Sequence, residues 1–453
     1  MIGAQIPRSA FATTLSPGVA VAGLLGALAA IGALAMLMRR RPDAFPLLAV
    51  LALPFRLPIS AEGRTVNLLI PLYLVVAAAT LVHLLPRLLS RSERRPEGLE
   101  WLLLGAVALY AVQALYSTDL GKAAENVAFF YVPFALLFVL LRDVRWTREL
   151  LLRCLGVAVA LAVVFAGIGF VEYYRKALFL NPKVVVANQY DNYFRVNSLF
   201  FDPNIYGRFL ALVMIAVTTV VLWSRRRRDV IAGAAALAWL LGGLVTSFSQ
   251  SSIAALLLGL AVLAAWRWDV RRTVYAAGAL VAVAIAVVLA APASLHFGLK
   301  GSGGSASNAT SGRTKLISGG LELFAERPLE GYGSGSFQTE YQRHAQASVQ
   351  NATSASHTIP VTVAAEQGII GLGVYVALLI AAFLVLFTGA GRSPPRPSGA
   401  RPAIAACFAA LVLHTWTYAD FLEDPLTWTL LGIGVALARG GTSLWETRSR
   451  ADS

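Results

Sequence analysis

Residues 150–171 read LLLRCLGVAVALAVVFAGIGFV, with Arg153 as the only charge among them. At 1.5 Å per residue a helix of this length reaches about 30 Å, the thickness of bilayer hydrocarbon, whereas a strand rarely needs more than about 10 residues. The run is preceded by basic residues between Arg142 and Arg148. The same alternation of apolar run and arginine cluster repeats in both directions. Spans are predicted near 18–38, 44–58, 67–86, 99–117, 126–141, 150–171, 206–223, 230–247, 252–266, 273–291, 358–388, 403–419 and 426–438. The chain is therefore expected to be an all-α polytopic integral membrane protein of about 12–13 helices, one transmembrane domain from 1 to 453.

Composition agrees. Of 453 residues 57% are hydrophobic and only 14% charged, against roughly 45–50% and 25% in soluble domains, which excludes a soluble enzyme. The net charge of +14 does not point to nucleic acid, because the arginines sit in short clusters between apolar runs. Arg39–Arg41, Arg87–Arg95, Arg142–Arg148, Arg225–Arg228, Arg267–Arg272, Arg392–Arg401 and Arg439–Arg450 mark every second connection. Those connections are expected on the cytoplasmic side, with the N-terminus outside and the C-terminus inside. The span at 44–58 is short and broken by Pro54 and Pro58, which suits a re-entrant segment equally well. Residues 1–17 lack the pattern of a cleaved signal, so the first helix is expected to be retained. Cys154 and Cys407 lie in apolar runs and read as small buried hydrophobes.

Two connections on the outer side are too long to be simple turns, 172–204 and 292–357. The second begins with a Gly/Ser-rich stretch and continues as SGRTKLISGGLELFAERPLEGYGSGSF from Ser311. Leu316, Ile317, Leu321 and Phe324 fall at helical spacing, which predicts a short amphipathic helix near 313–326 lying on the membrane surface. Pro328 ends it, and Gly331, Gly333 and Gly335 predict a turn with close backbone approach. No strand precedes these glycines, so a nucleotide-binding reading is rejected.

Candidate chemistry clusters where these loops meet the membrane. Asp202 and Asn204, flanking Pro203, read as caps of the helix that follows. Arg195 near that helix start suits an anion such as phosphate, although an outer arginine can also be merely solvated. His357 stands where the second loop re-enters the membrane. Its ordinary pKa near 6.5 suits a proton acceptor, and a hydrogen-bonded anchor is the competing reading. Glu366 lies some two and a half turns further on, where an ionisable group implies a buried partner or a cavity. His83, His296, His344 and His414 have no comparable setting. The acidic run Tyr418–Pro425 reads either as acid–base or cation-binding machinery or as a polar turn. No cluster has metal-ligand spacing, and no metal or cofactor is expected.

Taken in order, RVNSLFFDPN at 195–204, Gly312-Arg313, PLEGYGSGSF at 328–337 and His357 followed by Gly368 and Gly371 resemble the O-antigen ligase and polymerase superfamily. Motifs carry the resemblance over about 190–375, and topology carries it elsewhere. It implies a membrane glycosyltransferase of polysaccharide biosynthesis in the bacterial plasma (inner) membrane, its site facing the periplasm or cell exterior. The implied donor is an undecaprenyl-diphosphate-linked glycan, and the implied acceptor is a glycan, lipid or protein hydroxyl. By the resemblance, Arg195 and Arg313 hold the diphosphate and His357 is the base of an inverting, metal-independent transfer. Gln250 stands where many members carry arginine, and it joins Asp202, Asn204 and Glu366 as a supporting candidate. A transporter or flippase of lipid-linked glycan is the alternative.

Overall fold

The computed structural model describes residues 17–61, 64–89, 97–179, 194–268, 271, 306–345, 358–388, 399–418 and 420–440. It is an all-α membrane architecture, in which eight of the described helices are long and apolar enough to cross a bilayer. In chain order the helices are α1 (Pro17–Arg40), α2 (Ala44–Ala52), α3 (Ile70–Leu89), α4 (Gly98–Ala114), α5 (Leu120–Arg142), α6 (Arg148–Arg175) and α7 (Pro203–Trp223). They continue as α8 (Arg227–Thr246), α9 (Gln250–Arg267), α10 (Ala306–Glu326), α11 (Phe337–Ala345), α12 (Ile359–Thr388), α13 (Ala400–Thr417) and α14 (Pro425–Gly440). The span expected at 273–291 lies outside the described residues.

Residues 44–58 do not form one spanning helix. The nine-residue α2 stops before Pro54, and an antiparallel hairpin follows, β1 (Leu57–Ala61) with β2 (Arg64–Leu68). Nine residues reach only about 13 Å, and proline cannot donate to the turn before it. Proline also shapes α3 and α5. Each widens into one π-helical turn, Thr80–Leu84 and Val127–Tyr131, just ahead of Pro86 and Pro133. The wider turn makes room for the proline ring and relieves its clash with the carbonyl four residues back.

The centre of the bundle is α7, flanked by α8, α9 and α13, whereas α1 packs mainly on α3 and leaves most of its surface uncovered. Close packing rests on small residues. Ala405, Ala406, Ala409 and Ala410 of α13 are buried where it meets α9. A Cβ on Gly207 of α7 would come within 2.7 Å of Ser252 Oγ on α9. Among the described residues, the arginine-bearing ends of α3, α5 and α14 meet the start of α4 or one another at one end of the bundle. There Arg142 and Arg439 converge on Glu100, each at 2.8 Å, tying α5 and α14 to α4. The described segments 172–179, 194–204 and 327–337 lie away from this end, against the start of α7 and the α8–α9 turn or against the start of α12 and the end of α4.

Candidate functional site

At the loop end the chain re-enters the described region at Phe194 and runs extended along the α8–α9 turn. The Val196 N–H donates to the Thr246 carbonyl at 3.2 Å. Glu172, wholly buried near the end of α6, fastens this segment from the other side, accepting the backbone N–H of Ser198 at 2.7 Å and of Phe179 at 3.0 Å. A carboxylate taken out of water must find donors, and two loop amides supply them. Arg195 is thereby delivered to the start of α7. Its Nε donates to the Ser247 carbonyl at 3.2 Å and its Nη2 to Asn204 Oδ1 at 3.3 Å. Asp202 caps α7 through the Asn204 N–H and also meets the Tyr418 hydroxyl, while Pro203 occupies the first turn, where no N–H is missed. Arg195, Asp202 and Asn204 therefore form one group. Gln250 is exposed in the first turn of α9, next to Ser249, which donates to Asn204 Oδ1 at 2.9 Å.

The second loop is fastened in the same way. Helix α12 is broken at Gly368, whose φ of +64° lies in the left-handed region. The freed Ile369 N–H donates to the Pro328 carbonyl at 2.8 Å, and the Glu366 carbonyl accepts from the Gly333 N–H at 2.8 Å. A Cβ at Gly368 would lie 2.2 Å from the Leu329 carbonyl oxygen, so only glycine allows this approach. The buried Glu366 carboxylate accepts the N–H groups of Gly335 at 2.9 Å and Phe337 at 3.1 Å. The tip of α4 completes the seat: Ser117 Oγ donates to the Ser334 carbonyl at 2.8 Å, and Ser334 Oγ donates to the Tyr110 carbonyl at 2.7 Å.

Helix α10, which carries Arg313, packs on α12. Its buried residues Leu316 and Leu323 share a small second core with Tyr332, Phe337, Tyr341 and Ala365, whereas Leu321 is exposed. His357 lies outside the described residues.

The acidic run between α13 and α14 is a turn with heavy electrostatic content. Asp424 pairs with Arg208 of α7 at 2.8 Å, both wholly buried, and also caps α14 through the Leu426 N–H. Glu423 Oε1 accepts from Asn126 Nδ2 at 2.8 Å, and the same amide group donates to the Tyr110 hydroxyl. Burial pushes the Glu423 carboxyl up to about 7; Asp420 adds to this, and Lys122 and Arg56 oppose it. Among the described residues no three His, Cys, Asp or Glu side chains gather as a metal site.

Sequence reasoning missed Glu172, Arg208 and Asn126, and it set His414 aside. His414 sits in an apolar helix with no flanking motif, yet its Nε2 reaches Ser251 and Ser252 Oγ at 3.3 and 3.2 Å. The Ser249–Ser252 run before an apolar stretch was the available signal.

An all-α bundle with eight described helices long and apolar enough to span a bilayer is a polytopic membrane protein. Residues 235–376 match a family model described as O-Antigen ligase. The match runs from most of α8 through the first half of α12, so this part of a multi-pass membrane protein is similar to O-antigen ligases, a family of membrane polysaccharide biosynthesis. A search of curated proteins gave no match.

Proposed function

We propose that the protein moves a glycan from an undecaprenyl-diphosphate carrier to a hydroxyl on a glycan, lipid or protein acceptor, at the loop end of the bundle, facing the periplasm or exterior of a bacterial plasma membrane. Arg195 and Arg313 hold the diphosphate, and His357 takes the proton of the acceptor hydroxyl. The acceptor oxygen attacks the anomeric carbon from the face opposite the carrier. The C–O bond to phosphate breaks and the lipid diphosphate leaves with the electron pair, so configuration inverts.

One observation carries this reading. Arg195 is oriented before any ligand arrives, by a carbonyl at Nε and a carboxamide at Nη2, beside the N-terminus of α7. A preset guanidinium next to a helix N-terminus suits an anion whose charge grows during the reaction, because nothing has to reorganise as the bond breaks. Glu366 is a poor alternative base, since both its oxygens are committed to backbone amides.

Two His357 variants test the assignment in purified protein supplied with lipid-linked donor and acceptor. His357→Ala is expected to lose about 10²- to 10⁴-fold in product formation, the usual contribution of a positioned base, while donor binding survives. His357→Gln retains hydrogen bonding but takes no proton at neutral pH and is expected to be nearly as impaired. Near wild-type turnover in His357→Gln would reassign the histidine to an anchoring role.

A further inference from the structure

We infer that His414, deep in the helix bundle, is a positioning residue for the Arg195 clamp and acts through a one-way chain of serine hydroxyls; the inference rests on the glycosyl-transfer reading above. His414 on α13 is wholly buried. Its Nε2 lies 3.2 Å from Ser252 Oγ, Ser252 Oγ lies 2.7 Å from Ser249 Oγ, Ser249 Oγ lies 2.9 Å from Asn204 Oδ1, and Asn204 Oδ1 lies 3.3 Å from Arg195 Nη2.

Counting protons gives the chain its direction. Arginine only donates, so the Asn204 atom that faces it must be the carboxamide oxygen. Ser249 meets the same oxygen and must commit its single proton there. The 2.7 Å contact between Ser249 and Ser252 is then filled by the proton of Ser252. Ser252 has none left for the imidazole, so His414 donates from Nε2; Ser251 Oγ, 3.3 Å from Nε2 and 3.2 Å from Ser249 Oγ, forms a longer parallel link between the same two ends. The longer contact of Ser252 Oγ with the Asn204 carbonyl, at 3.3 Å, competes for the same proton and is the weaker one. The imidazole also meets that carbonyl, which can only accept, as a proton on Nε2 requires.

Packing holds the chain together. Ser249 caps α9 through the Ser252 N–H at 3.3 Å, and Gly207 alone leaves α7 room beside Ser252 and Ser247. The ring lies against Ser251, Ser252, the Tyr418 ring and the Asn204 backbone, polar neighbours that a leucine or methionine could not satisfy, so packing alone does not account for the histidine. Its effect at a distance is to fix which end of the Asn204 amide faces Arg195. Without that final donor the serine protons can reorient and the amide can turn its NH₂ toward the guanidinium, setting donor against donor.

The test uses full-length protein in lipid nanodiscs and measures dissociation constants for an undecaprenyl-diphosphate-linked glycan. His414→Met, which fills the space but cannot donate, is expected to weaken donor binding roughly 3- to 10-fold, about one hydrogen bond's worth. His414→Gln, which restores an N–H, should recover most of the loss. In an Arg195→Ala background His414→Met should cost nothing further. Should His414→Met fold poorly, Ser251→Ala combined with Ser252→Ala removes both hydroxyls that link His414 to Ser249 and should give the same pattern. Wild-type donor binding in His414→Met or in the Ser251→Ala/Ser252→Ala double variant, alongside weakened binding in Arg195→Ala, overturns the inference alone. Losses that multiply with that of Arg195→Ala also overturn it. Unchanged binding in Arg195→Ala overturns the diphosphate reading, and this inference with it.

Discussion

Arg195 is held on two edges of its guanidinium, by the Ser247 carbonyl at Nε and by Asn204 Oδ1 at Nη2. Lysine offers a single charged centre without that planar fork. A charge-assisted hydrogen bond contributes about 1.5–3 kcal/mol. Arg195→Ala should therefore lower donor use by roughly 10- to 150-fold, and Arg195→Lys should restore only part of it, as read from kcat/KM for the lipid-linked donor. Glu423, in the turn between α13 and α14, contributes to the pH dependence of stability. Because its folded carboxyl is raised from 4.5 to about 7, the folded state holds a proton that the unfolded chain releases. Its contribution to stability is full below 4.5 and is lost as pH rises through about 7. Melting temperature should fall across that interval, and Glu423→Gln, which mimics the protonated form, should flatten the fall. Arg195, Asp202 and Asn204 were legible because a proline flanked by capping residues marks a helix start in sequence. His414 was not, because its partners lie some 160 positions away and only folding brings them together.

At the scale of elements, Glu172 and Glu366 do the same job, each near a loop-end turn of its helix and each accepting two backbone amides of a long loop. The glycine turn at 331–335 could be foreseen from its spacing, and all three glycines have positive φ. What could not be foreseen is where the turn docks. That depends on a break in α12 at Gly368 that hydropathy does not reveal, since the apolar run continues through it. For the same reason Glu366 looked available for chemistry in the sequence, whereas the fold commits it to Gly335 and Phe337. Replacing Glu366 by Gln leaves one oxygen and sets an NH₂ against an amide N–H. Hydrogen exchange at the Gly335 and Phe337 amides should then speed up about 10-fold or more, as an unsatisfied buried donor costs about 1–3 kcal/mol. Gly368→Ala should be harsher, expelling the turn and abolishing activity in protein that still inserts in membranes.

Across the whole molecule, the described helices place the arginine-bearing ends of α3, α5 and α14 at one end and the clasped loops away from it. Period and composition were enough to find this arrangement, because a bilayer demands long apolar helices whatever their partners. They failed at 44–58, where prolines convert an apolar stretch into a short helix and a hairpin. If the loop end faces outward, a cysteine replacing Glu322 on α10 should react in intact cells with a membrane-impermeant maleimide. One replacing Arg226 should react only after permeabilisation. The native Cys154 and Cys407 are buried and contribute little background. The central claim, transfer from a lipid diphosphate, is tested most directly by incubating the purified protein with undecaprenyl-diphosphate-linked glycan and an acceptor, and analysing both lipid and product by mass spectrometry. The account predicts free undecaprenyl diphosphate in one-to-one yield with glycan newly joined to the acceptor, both formed far more slowly by Arg195→Ala. Donor that crosses a vesicle membrane intact, with no diphosphate released and no product formed, would contradict it.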